Sequence, residues 1–319
     1  MNPIATPVDT ADLERHRSVL VGHCYRMLGS ASDADDAVQE TMIRAYRSLD
    51  RFEGRSSLRT WLHRIATRVC LDMLEQRERR AMPQDLGPAS NTDAPLVELP
   101  SSRWIEPIPD RAVLPTDATP AELLEMKEKI RLAFVAALQR LTPRQRAVLL
   151  WTEVVGGTAA EIAEILATSI ASVNSALQRA RATLSRQDNA PATLLTEEQK
   201  ALVERYVRAF ESYDMQAIKG LLREDASMSM PPLSLWLRGA DTIAEWMLGR
   251  GAACRNSRLV SVEACGMTAF AQYKPAEDGR YTPWALMLLD FDGDRIGELT
   301  FFLDTEAIFP RFGLPMELR

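Results

Sequence analysis

The chain has 319 residues, 46% hydrophobic and 26% charged, and a formal net charge of −6. These are the proportions of a soluble globular chain long enough for two or three domains with their own cores. No run of 18 apolar residues and no basic-then-apolar leader is present, so neither a membrane-spanning helix nor a secretory signal is expected. Cys24, Cys70, Cys254 and Cys265 are scattered without a C-x-x-C pair and fit buried thiols in a reducing cytoplasm. His16, His23 and Cys24 lack a fourth partner, so neither a metal site nor a cofactor is expected.

Taken in order, the chain opens with a short polar stretch over 1–11. The periodicity then predicts a helix from Asp12 to Leu28, carrying Leu13, Val19, Leu20 and Tyr25 and ended by Gly29. Ser32 with Asp35 reads as a capping box for the next helix. Its buried stripe is Val38, Met42, Ala45, Tyr46 and Leu49, and Asp33, Asp36, Gln39, Glu40 and Arg44 lie outward. Acids in that first turn also favour the helix dipole by themselves. Phe52, Gly54 and a Ser56-Ser57 cap then lead into a long helix. Leu58, Trp61, Leu62, Ile65, Val69 and Met73 form its apolar side. Arg55, Arg59, Arg64, Arg68, Arg77, Arg79 and Arg80 supply positive charge. A basic helix beside an aromatic loop suits melted, single-stranded DNA: charge for the backbone and a pocket or stacking face for an unpaired base.

Residues 81–125 are rich in Pro, Asp and Ser and read as a linker, with one apolar island at Trp104-Ile105-Glu106-Pro107. A helix resumes near Ala121 and carries Leu124, Ile130, Leu132, Phe134, Leu138 and Leu141. Thr142 caps the next, with Pro143 at its first position and Gly156-Gly157 at its end. Thr158 with Glu161 opens a short helix bearing Ile162, Ile165 and Leu166. Thr168 or Ser169 opens a longer one whose apolar stripe is Ile170, Val173, Leu177 and Leu184. The opposite face of that helix carries Ser172, Asn174, Ser175, Gln178, Arg179 and Arg181. Short helix, tight turn and longer helix with polar and basic outer positions make a helix-turn-helix. Arg pairs with phosphate or guanine, while Asn, Gln and Ser read bases or position the backbone. On spacing alone an ordinary helical hairpin also fits.

After a polar connector at 186–195, Thr196 caps a helix lined by Leu202, Tyr206, Phe210 and Tyr213, and Asp214 caps a second. A third helix covers 240–250. Strand-like runs follow at Arg258–Ala264, Thr268–Tyr273, Pro283–Phe291 and Arg295–Leu303, the last two joined by a hairpin at Asp292-Gly293. Helices followed by an antiparallel sheet predict an α+β domain. Charge follows the same divisions. Residues 51–80 hold eight Arg against four acids, and 126–187 hold nine basic against four acidic residues. The linker and the C-terminal part are acidic, so two basic patches sit in an acidic chain. That pattern suits selective DNA contact with weak non-specific affinity.

LTPRQRAVLL, TAAEIAEIL and SVNSALQRARATL resemble region 4 of the sigma-70 family in its extracytoplasmic-function branch. DADDAVQETMIRAYRSL resembles regions 2.1–2.2, and RFEGRSSLRTWLHRIATRVCLDMLEQRERR resembles regions 2.3–2.4. The looser YVRAFESYDMQAIKGLLREDASMSMPP and LRGADTIAEWM resemble the SnoaL-like branch of the nuclear-transport-factor-like cone. The resemblance implies a multidomain chain. It comprises all-α sigma region 2 (12–80), the acidic linker (81–125), all-α helix-turn-helix region 4 (126–187) and an α+β SnoaL-like cone (196–319). It implies core RNA polymerase, through its β′ coiled coil and β flap, and promoter DNA as partners. By it, Asp33, Asp36, Gln39, Glu40 and Arg44 would dock on the polymerase. Phe52, Arg55, Ser56, Ser57, Arg64, Thr67 and Arg68 would hold the −10 element. Ser169, Ser172, Asn174, Ser175, Gln178, Arg179 and Arg181 would read the −35 element. The family usually has Lys where Asn174 stands and Arg where Ala176 stands, so this helix is less basic than most.

Trp104, Ile105, Glu106 and Pro107 would be the linker segment touched by the C-terminal domain, which modulates the sigma regions in such relatives. An apolar cone cavity near Trp236, Trp246, Trp284 and Phe301 would admit a small-molecule ligand. Catalysis there would need an Asp, often with a His or Tyr. Asp214, Asp225, Asp241 and Asp304 are available, but all three histidines lie outside the cone, so no enzyme activity is expected. The alternative is a one-component helix-turn-helix regulator with a ligand-sensing cone. That reading leaves the acidic helix 33–49 and the basic loop-and-helix 52–80 unexplained.

Overall fold

The computed structural model describes residues 10–54, 56–75, 77–115, 118–184 and 195–319. Two compact units emerge. One combines Met1–Arg80 with Arg111–Asn189, the other Ala81–Asp110 with Ala190–Arg319. The chain thus leaves the first unit at Arg80 and returns to it inside the stretch that composition marks as a linker.

The first unit is all-α. It holds α1 (Thr10–Glu14), α2 (Arg17–Leu28), α3 (Ala31–Arg47) and α4 (Leu58–Leu74). After α5 (Asp110–Val113), where the chain passes back from the second unit, come α6 (Pro120–Glu128), α7 (Leu132–Gln139) and α8 (Pro143–Leu150). A π-turn at Trp151–Val155, α9 (Ala159–Ile165) and α10 (Ile170–Leu184) complete it. Gly29 ends α2 at φ 70°, and an added Cβ there would meet the Gln139 side chain of α7 at 2.9 Å. The residue is therefore needed both for the turn and for the close approach of a helix more than a hundred positions away. Because α2 closes at Gly29, the cap of α3 falls on Ser30 and not on Ser32. Ser30 Oγ accepts the Asp33 N–H at 3.0 Å.

Buried faces of α2, α3 and α4 meet through Leu20, Tyr25, Val38, Met42, Leu62 and Val69. The later helices join the same unit through polar contacts that periodicity does not report. Trp151 Nε1–H donates to Thr67 Oγ1 at 2.8 Å. Gln139 Nε2 donates to the Arg26 carbonyl at 3.4 Å. The buried Arg146 guanidinium donates to the carbonyls of Met27, Leu138, Gln139 and Leu141.

The second unit is α+β. Helices α11 (Glu197–Glu211), α12 (Met215–Leu221) and α13 (Ala240–Leu248) pack on a sheet of β1 (Leu222–Ser229), β2 (Trp236–Arg238), β3 (Arg258–Ala264), β4 (Met267–Pro275), β5 (Tyr281–Asp292) and β6 (Arg295–Phe302). Helix α14 (Thr305–Phe312) follows. The strand order is β2-β1-β6-β5-β4-β3, antiparallel except where β1 lies parallel to β6. Tyr206, Phe210, Ile218, Ile243 and Trp246 from the helices meet Met228, Phe270, Met287 and Phe301 from the strands in one apolar core. The sequence reading missed β1, because LREDASMS is polar and follows α12 with no turn residue between them.

Residues 81–110 lie along this sheet domain. Main-chain bonds run from Ser90 N–H to the Trp236 carbonyl (2.8 Å), from Leu99 N–H to that of Pro232 (3.0 Å) and from Ser234 N–H to that of Val97 (2.9 Å). Cys265 N–H donates to the Ile108 carbonyl at 2.9 Å, and Pro109 pairs with Ala264 at the end of β3. Trp104, Ile105 and Pro107 are buried. Within the island, Trp104 Nε1–H donates to the Leu99 carbonyl at 3.3 Å.

Candidate nucleic-acid interface

The helix-turn-helix is built as its caps demand. Thr158 N–H donates to Glu161 Oε2 at 2.7 Å, and Glu161 N–H returns to Thr158 Oγ1 at 3.3 Å. The Thr158 N–H, with the Thr158 hydroxyl donating to the same oxygen at 2.8 Å, holds the Glu161 carboxyl below its ordinary value. Ala167, at φ 47°, makes the turn, and Ser169 Oγ accepts the Ser172 N–H at 3.2 Å to open α10. Val173 and Ala176 of α10 are seated on Val148, Trp151, Ile162 and Ile165. Ser169, Ser172, Asn174, Gln178 and Arg179 are exposed on the outer side. Ser175 is half-buried, and its hydroxyl accepts Arg179 Nη1 at 2.7 Å. Arg181 is exposed, and its Nε lies 3.1 Å from Glu153 Oε1.

On α3, Asp36, Gln39 and Glu40 share one outward face, with Arg44 bound to Glu40 Oε1 (2.7 Å) and to Asp72 Oδ2 (3.2 Å). Ile43 and Tyr46 are also exposed there, although the sequence pattern puts Tyr46 in the buried stripe. The outward face of α3 thus combines acidic and polar side chains with two exposed apolar ones. Asp33 departs from the expected outward position. It is buried and accepts hydrogen bonds from Arg80 (2.8 Å) and Arg77. Burial alone would raise its carboxyl, but the two guanidinium groups outweigh that and bring it below its ordinary value. Asp33 therefore ties the end of the 58–80 segment to α3.

In the loop before α4, Phe52 packs at 5.1 Å from Trp61, tilted by 44°. Ser56 and Ser57 are exposed, Ser57 Oγ caps α4 by accepting the Thr60 N–H at 3.1 Å, and Arg55 lies outside the described residues. Arg68 points outward into a groove of about 680 Å³ whose rim includes Arg44, Asp72, Thr142 and Arg144. Arg64 is half-buried and bound to Glu164 of α9. Thr67 is another departure. It is fully buried, donating to the His63 carbonyl at 2.7 Å and accepting from Trp151, with His23 Nε2 at 2.9 Å. The resemblance to regions 2.3–2.4 implies a −10 contact for Thr67. In this conformation it is the junction between α2, α4 and the region after α8, and it offers nothing to DNA.

Two described segments match family models: Sigma-70 region 2 over residues 13–80 and Sigma-70, region 4, over 131–184. The ECF RNA polymerase sigma factor SigG of Mycobacterium tuberculosis is 44% identical over 316 residues, covering 97% of this chain and 84% of that protein. The chain belongs to the ECF RNA polymerase sigma factors. SigJ of the same organism is 27% identical over 252 residues, covering 76% of this chain and 73% of that one. The crystal structure of Mycobacterium tuberculosis SigJ shares the fold at a TM-score of 0.61 and 21% identity, covering 97% of this chain and all of that one. This sigma factor thus joins helical regions 2 and 4 to a C-terminal α+β domain. Among the described residues no helix is long and apolar enough to cross a membrane.

Proposed function

We propose that this sigma factor loads core RNA polymerase onto promoters in the cytoplasm and that its C-terminal domain sets how readily it does so by holding residues 81–110. The α3 face of Asp36, Gln39, Glu40 and Arg44 docks on the polymerase, joined by Ile43 and Tyr46. Phe52, Ser56, Ser57 and Arg68 take the melted −10 strand, with Arg55 carried over by resemblance. Ser169, Ser172, Asn174, Ser175, Gln178 and Arg179 read the −35 duplex, and Arg181 joins them once released from Glu153. Arg64 joins the −10 set only when Glu164 lets go. The observation that carries the regulatory part is the run of main-chain bonds between 81–110 and the sheet domain. A linker pinned there is not free to thread through the polymerase. Three of the four carboxylates available for catalysis have structural partners. Asp214 caps α12, Asp225 pairs with Arg223, Asp241 pairs with Lys219, and Asp304 precedes α14. A regulatory domain, and not an enzyme, is the reading they support.

In vitro transcription with purified core polymerase tests this, on promoters selected by the reconstituted holoenzyme. The full chain is expected to start specific transcripts, and a version ending at Ser185 to change their yield severalfold. A chain that shifts duplex DNA alone and fails to bind core would establish a one-component regulator instead. Equal yields from both versions would remove the modulating role.

A further inference from the structure

We propose that Ile170 is a specificity determinant that reads the 5-methyl group of a thymine in the −35 element. The inference rests on the promoter-reading role of α10 proposed above and names a residue that the sequence pattern had assigned to the core. In the structure Ile170 is 51% exposed, the most exposed of the large hydrophobic side chains among the described residues. It is absent from the apolar cluster that seats α10, whose half-buried neighbours are Val155, Ala159, Leu166 and Leu177. The cluster is assembled from these side chains without Ile170.

Its placement suits a base contact. Ile170 is the first residue of α10, and the N-terminal residues of a recognition helix are the ones that reach base edges. The Ser169 cap fixes that first turn. Ile170, Asn174 and Gln178 are spaced by four, so they lie in one line along the helix, and all three are exposed. No carboxylate occurs on α10 to repel the duplex. In the major groove the apolar feature that distinguishes one base pair from another is the thymine methyl, and Asn is the residue suited to adenine N6 and N7. Ile170 and Asn174 together therefore favour adjacent A·T pairs, and the contact takes the place of phosphate charge on a helix that carries few arginines.

The test replaces each −35 thymine in turn by deoxyuridine, which removes only the methyl, in a promoter selected by the reconstituted full-length holoenzyme. Wild-type holoenzyme is expected to lose about three- to fivefold in affinity at one position, the worth of one buried methyl group. The Ile170→Ala holoenzyme is expected to bind the thymine and deoxyuridine versions equally there, with Ile170→Val in between. If every thymine can be replaced without loss, or if Ile170→Ala keeps the deoxyuridine penalty, the assignment is overturned while promoter recognition stands. A holoenzyme that selects no −35 sequence at all overturns the underlying reading as well.

Discussion

Replacing Arg146 with alanine is expected to destabilise the helical unit by about 3–5 kcal/mol, a large share of a typical domain's total. The guanidinium is buried, and its fork reaches the carbonyls of Leu138 (2.9 Å) and Gln139 (3.3 Å) at the end of α7, of Leu141 (3.2 Å) in the turn after it, and of Met27 in α2. Burial, with the charge of Arg79 second, lowers its pKa to about 9, so it remains charged at neutral pH. Alanine would leave those carbonyls dry and unbonded, at a cost of about 1–3 kcal/mol for each one that water cannot reach. Lysine keeps the charge but cannot fork to several acceptors, so Arg146→Lys is expected to lose about 2 kcal/mol. Urea denaturation of the full chain, with hydrogen exchange followed at α2 and α8, measures both. An unchanged midpoint for Arg146→Ala would mean that water already serves these carbonyls and that the clamp does not exist.

Arg146 also marks where reading the sequence stops. Local chemistry was legible: Thr142 and Thr158 cap their helices, Gly156 at φ 82° ends the π-turn after α8, and Asp292-Gly293 turns β5 into β6. Such features depend on neighbours a few positions apart. Arg146 with Met27, Thr67 with Trp151 and Asp33 with Arg80 pair residues far apart in the chain, where local periodicity carries no signal. The linker posed a different difficulty. Its apolar island at Trp104 was visible, but its grip on the sheet domain runs largely through backbone groups at 90–99 and 108, whose side chains advertise nothing. Ile170 shows the opposite error. Its spacing fits a buried stripe, yet the cluster that seats α10 does not include it, and it stands exposed.

The two units are expected to answer pH with opposite signs. In the helical unit the Thr67 hydroxyl donates to the His63 carbonyl and so accepts from both Trp151 Nε1 and His23 Nε2, which leaves His23 Nδ1 buried without a partner. His63 Nδ1 donates to the Arg59 carbonyl at 2.8 Å, and its ring meets that of His23 edge-on at 5.1 Å. Burial, aided by the charges of Arg59, Arg26 and His16, lowers His63 to about 4. Burial first, then His63 and Arg26, pushes His23 the same way. Both rings are neutral when folded and take up protons when unfolded. Their contribution is therefore complete above about pH 6.5 and lost as pH falls towards 4, with His63 alone accounting for about 2 kcal/mol at about pH 5. In the sheet unit, burial and the neighbouring Asp290 raise Glu298 to about 7, against hydrogen bonds from Thr300 and Gln84. Its folded form holds a proton that the unfolded chain has released, so this unit loses stability as pH rises from about 4.5 through 7. Hydrogen exchange resolved by unit, at about pH 5 and about pH 7.5 after correction for intrinsic rates, reads both trends. His63→Gln keeps a donor for Arg59 without titrating and should flatten the first trend while leaving the second. If the helical unit of His63→Gln keeps the wild-type pH dependence, the titrating group lies elsewhere and the buried histidine pair is only packing.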